Sequence, residues 1–164
     1  MAIIHWRELK SVLVSDARLL GLDVGTKTVG LALSDVTRTI ASPFETLRRR
    51  RFADDAAALA RIVAENDVGG LVVGLPVSMD GDEGPRAQGV RQFVANLSAT
   101  IDLPTAFWDE RLSTAAVERI LIGEVDMSRK RRREVVDKAA AAYILQAALD
   151  AMAAAGTPAP RTAR

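Results

Sequence analysis

The chain has no cysteine, which excludes disulfides and thiolate zinc sites. Its single histidine, His5, lies near the N-terminus, a poor basis for a histidine metal site or a His-dependent triad. Aromatic residues are scarce at 4%, so no ladder of rings stands ready to stack bases. Any nucleic-acid contact is therefore expected to read backbone and shape. No apolar run is long enough to span a bilayer. The opening stretch "MAIIHWRELKSVLV" is broken by Arg7, Glu8 and Lys10, so it lacks the core of a signal peptide. These absences lead us to expect a cytoplasmic protein with no membrane partner. Any metal it holds must be bound by carboxylates, which favours hard cations such as Mg²⁺ or Mn²⁺.

What is present suits a folded domain. Of 164 residues, 49% are apolar and 26% charged, and that length is most simply one domain with a full core. Net charge is only +1, but arginine is clustered, at Arg48–Arg51 and in the run Arg129, Lys130, Arg131, Arg132, Arg133. Such runs make local positive fields, and each also reads as a solvated loop.

Periodicity orders the chain. Residues 18–24 and 28–34 read as an antiparallel hairpin around Gly25-Thr26-Lys27. A third strand near 38–47 contains Pro43 and is expected at the periphery. Apolar residues recur at helical spacing from Phe52 to Asn66. "GGLVVGLP" reads as a central strand buried on both faces. The loop "VSMDGDEG" and a helix from Pro85 to about Ser98 follow. "PTAFW" is a short buried strand, and Ser113 is a candidate N-cap for a helix to about Ile122. Residues 123–132 read as a basic loop, and 134–154 as an alanine-rich helix. Residues 1–17 form an extension, 18–154 the domain, and 155–164 an expected disordered tail. Three antiparallel strands followed by two parallel ones, with helices on both faces, make a mixed five-stranded α/β sheet.

Three carboxylates occupy unusual places. Asp23 lies inside the first strand, on the face of Gly21 and Gly25, where it either bonds the turn or faces an open site. Glu110 ends the last short strand within "WDERLST", where Asp109 or Glu110 is expected to cap a helix and pair with Arg111, or to point into a site at the sheet edge. Asp137 heads the stripe 137, 140, 141, 144, 145, 148, so it begins the core-facing side of the last helix. Brought together, three like charges call for a divalent cation. Such a set, without histidine or thiol, suits two-metal cleavage of phosphodiesters.

The blocks "GLDVGTKTVGLALSD", "VVGLPVSMDGDEG", "DERLST" and "VDKAAAAYIL", in that order, resemble the YqgF/RuvX family over about residues 18–150. That resemblance implies a ribonuclease H-like fold and a role shared with pre-16S rRNA nucleases and Holliday-junction resolvases. It also implies Mg²⁺ or Mn²⁺ at Asp23, Glu110 and Asp137. The family often carries arginine after "GTK" where this chain has Thr28, leaving Lys27 as the cation of the turn. The arginine run 129–133 precedes Asp137 and is expected to border the acids, with Lys27 and Arg111, against a polyanionic substrate. Asp80 and Asp82 read as members of a tight turn rather than as metal ligands.

The expected function is therefore a metal-dependent nuclease acting on structured RNA, at the 5′ end of pre-16S rRNA, with a ribosomal subunit as a conceivable partner. Alternatives are a resolvase of branched DNA, which needs a dimer, and a binding factor that does no chemistry. An actin-like phosphotransferase, suggested by "DVGTKT", would need a second copy of the domain.

Overall fold

The computed structural model describes residues 2–112 and 129–156, with side chains from 135 onward in the second segment. Strands β1 (Arg18–Val24), β2 (Thr28–Ser34), β3 (Ala41–Arg48), β4 (Val68–Leu75) and β5 (Thr105–Asp109) form one sheet in the order β3-β2-β1-β4-β5. β1, β2 and β3 pair antiparallel, while β4 joins β1, and β5 joins β4, in parallel. This is the mixed sheet expected from the order of elements. The Gly25 amide closes the β1–β2 turn on the Thr28 carbonyl at 2.8 Å.

Pro43 lies on edge strand β3, where the pairing steps from Leu31↔Glu45 to Ala32↔Pro43 and skips Phe44. Such a bulge accommodates a residue that has no N–H to donate.

The sheet has two unlike faces. Leu20, Leu22, Leu31, Leu71 and Val73 project to one side, onto helices α2 (Phe52–Glu65) and α3 (Pro85–Leu97), and join the larger apolar cluster. The other side carries Leu19, Ala32, Val72, Ala106 and Trp108 beneath helix α4 (Arg129–Ala155). A Cβ at Gly21 would stand 2.8 Å from Leu145 Cβ, and one at Gly30 would stand 2.0 Å from the Asp137 carbonyl oxygen. The missing side chains therefore set how closely α4 approaches the sheet.

One expectation changes. The basic residues 129–133 belong to the first turns of α4 rather than to a loop. Arginine and lysine are good helix formers, and neither glycine nor proline interrupts 129–155. The N-terminal segment is docked. Ile3 bridges Thr105 at the outer edge of β5, and helix α1 (Trp6–Val12) sets Trp6 edge-on to Trp108 at 5.5 Å between ring centroids. That covers a sheet edge that would otherwise be open to pairing. The helix expected from Ser113 and the tail after Gly156 lie outside the described residues. No helix among the described residues is long and apolar enough to cross a membrane.

Candidate active site

The acids gather where β1, β4 and β5 end, the edge of an α/β sheet at which ligands usually bind. Asp23 is the next-to-last residue of β1 and lies opposite Gly30 of β2. Glu110 follows the last residue of β5. Strand β4 runs between them, and its residue on this face is Gly74, which pairs with Trp108. A Cβ on Gly74 would stand 2.7 Å from Glu110 Oε1 and 2.6 Å from Ile144 Cδ1. Because that Cβ is absent, Glu110 passes over β4 and its carboxyl group meets that of Asp23. A glycine on the middle strand is what allows acids two strands apart to touch.

The electrostatics follow from this contact. Burial, then the charge and hydrogen bond of Glu110, then the charge of Asp137, raise Asp23 from 3.8 to about 7. Burial also raises Glu110, against the hydrogen bond from Asp23. The pair therefore holds a proton that two isolated carboxylates would have lost near neutrality. The unfolded chain releases that proton near pH 4 and the native chain near 7. The contribution of this pair to the stability of the metal-free protein is thus fully present below pH 4 and is lost as pH rises through 7.

Asp137 faces the sheet, as its helical stripe implies, and accepts a hydrogen bond from Thr28 Oγ1 at 2.5 Å. The position where the family often has arginine thus holds a hydroxyl that orients the third acid. Asp23 feels the charge of Asp137, yet among the described residues no three acids are close enough together to form a finished metal cage. Asp23 and Glu110 form a contacting pair, and Asp137 is tethered beside it. The donor set is oxygen only and half-buried, with no histidine or thiol, a chemistry that suits a hard divalent ion.

The cations divide into two kinds. Asp109, rather than Glu110, pairs with Arg111, with Nε at 2.9 Å and Nη2 at 2.5 Å from Asp109 Oδ2. Arg111 also reaches the Ser78 carbonyl at 3.4 Å, so it ties the end of β5 to the loop after β4. Lys27 is exposed at the tip of the hairpin. The side chains of Arg129–Arg133 lie outside the described residues, although their backbone leads into Asp137 along α4. The loop after β4 is the tight turn expected: Asp80 accepts from the Ser78 hydroxyl and, at 3.1 Å, from the Asp82 amide, with Gly81 at φ 93°.

Sequence reasoning missed Arg86. It is exposed in the first turn of α3, and its charge opposes the rise in both Asp23 and Glu110. A signal was available, because a cation at a helix N-terminus works against the macrodipole and calls for another reason to be there.

The family model described as "RuvX: Holliday junction resolvase" matches residues 17–151. A protein of Paramagnetospirillum magneticum named "Putative pre-16S rRNA nuclease" is 63% identical over 150 residues, covering 92% of this chain and 96% of that one. One of the same name from Gluconacetobacter diazotrophicus is 54% identical over 153 residues, 93% and 99% of the two chains. Among solved structures, Thermus thermophilus RuvC in complex with a Holliday junction substrate aligns with TM-score 0.53 at 14% identity, covering 85% of this chain and 97% of that one. That likeness is one of fold, and the family model together with the relatives places this chain in the YqgF/RuvX family.

Proposed function

We propose that the protein is a divalent-metal-dependent nuclease that hydrolyses phosphodiester bonds in structured RNA, with the 5′ end of pre-16S rRNA as its substrate in the cytoplasm. The observation that carries this reading is the proton-holding Asp23–Glu110 pair, formed over Gly74 and joined by Asp137. The names of the relatives support the choice of RNA.

Asp23, Glu110 and Asp137 would hold Mg²⁺ or Mn²⁺. When bound, the metal supplies an acidified water and a counter-charge for the phosphate oxygens. The residues themselves do the rest. Asp23 and Glu110 give up their shared proton on loading, and Thr28 keeps the Asp137 carboxylate aimed at the site. Lys27 and the cations of the first turns of α4 steer the polyanion, which accounts for most of its affinity. Arg111, engaged with Asp109, holds the site's wall and offers only its outer edge to a phosphate.

The test is cleavage of a 5′-extended 16S rRNA precursor beside a four-way DNA junction, with Mg²⁺, Mn²⁺ or EDTA, for the native chain and Asp137→Asn. We expect RNA cutting that needs metal and is lost in the variant. Paired nicks in the junction instead would favour the resolvase reading, which the family model's description motivates. Binding of both substrates without cutting would turn the assignment to a non-catalytic factor.

A further inference from the structure

A groove of about 360 Å³ opens on the α3 side of the β1–β2 turn, lined by Gly25, Thr26, Arg49, Arg86, Gly89 and Val90. We propose that it is a phosphate subsite, in which Arg49 and Arg86 hold the backbone of the substrate strand beside the bond to be cut. The proposal rests on the nuclease reading and adds the path of the strand.

Neither arginine of the groove is spent on an ion pair among the described residues. Arg51, Arg91 and Arg111 each have a carboxylate partner, in Asp54, Glu83 and Asp109. Arg49 and Arg86 have none among the described residues, and no carboxylate is among the residues lining the groove. Arg49 is nevertheless fixed. Its amide donates to the Lys27 carbonyl at 2.8 Å, its Nη1 donates to the Gly25 carbonyl at 2.8 Å, and its guanidinium lies 5.1 Å from the centre of the Phe93 ring. A guanidinium carries five N–H donors, so a fork aimed in advance remains free for an anion at little further loss of entropy. Arg86 enters the groove from the first turn of α3, opposite Val24 and Gly25, which directly follow Asp23 in the chain.

Gly89 supplies an independent sign. It lies within α3, where alanine would make a more stable helix. A Cβ there would meet no atom within 4 Å. No contact within the protein requires this glycine, whereas a strand lying along the groove does require the open space. The lining residues carry two guanidinium groups and no aromatic ring on which a base could stack, a lining that suits a phosphodiester backbone.

The test is anisotropy of a labelled RNA strand of about twelve nucleotides, a length suited to one such domain, in EDTA and over a range of salt. We expect Arg49→Gln and Arg86→Gln each to weaken binding about five- to tenfold at low salt and to flatten the salt slope by about one. Gly89→Leu should raise the melting temperature and still weaken binding, an outcome that loss of folding does not produce. Arg61→Gln, an exposed change on α2, should match the native chain. Unaltered affinity and slope in all three groove variants, with native cleavage intact, would overturn the groove and leave the nuclease standing. If ATP or inorganic phosphate fills the groove at micromolar concentration and displaces the strand, the pocket serves a small ligand and the strand assignment fails. A native chain that binds neither this strand nor the 5′-extended precursor, and cuts neither when Mn²⁺ is added, removes the nuclease reading and the groove with it.

Discussion

The two faces of the sheet use the same five strands for different ends. Beneath α2 and α3 the strands present Leu20, Leu22, Leu31, Leu71 and Val73, all buried, and the layer is held by volume. Beneath α4 they present Gly21, Gly30, Gly74, Ala32 and Ala106 beside Leu19, Val72 and Trp108, so the helix comes closest to the sheet where side chains are missing. Side chains are removed on this face where the polar site needs space, and Asp23, Glu110 and Asp137 lie along its rim. The three acids thus lie on the α4 side alone, and substitutions on the two faces should differ in how far they touch cleavage.

The largest loss is expected at Gly30, where a new Cβ would stand 2.0 Å from backbone atoms of Asp137 that cannot rotate away. Gly30→Ala should lower stability by about 3 kcal/mol or more, at the upper end of overpacking effects, and abolish cleavage, measured by urea unfolding and activity together. Leu22→Ala on the other face should lose roughly 2–5 kcal/mol, yet keep native cleavage per folded molecule when assayed well below its midpoint. Equal loss of activity there would deny the division of labour. Gly74→Ala meets only side-chain atoms of Ile144 and Glu110, which can shift, so its stability should change by about 1 kcal/mol, the middle of the mutational range. Its effect should fall on the acids, with Glu110 displaced, the carboxyl titration of Asp23 moved down and cleavage reduced. NMR titration of the Asp23 carboxyl reads this directly.

Much of this contrast was legible in the residues. Alternation put Asp23 on the face of Gly21, and helical spacing put Asp137 on the buried side of α4. Both are local patterns, within one strand or one helix. The choice between Asp109 and Glu110 was not legible, because it depends on where a five-residue strand ends and on which strand lies beside it. The role of Gly74 is not local either, since it appears only once β4 is placed between β1 and β5. Arg86 was marked locally only by its unfavourable place at a helix N-terminus, and its nearness to Asp23, which joins residues far apart in the chain, was not legible. The helical start at Arg129 is a boundary effect: a run of like charges reads as a loop, although each residue in it favours helix.

The most direct measurement is Mn²⁺ affinity by calorimetry across the pH range around neutrality, for the native chain and for Asp23→Asn. Asp23 titrates near 7 and must lose its proton for a cation to take its place. Native affinity should therefore climb as pH rises toward and through 7, then level off, while the variant binds weakly and without that climb. Equal, pH-independent affinity in the two proteins would contradict the account, because the buried acid pair would then not be the metal site.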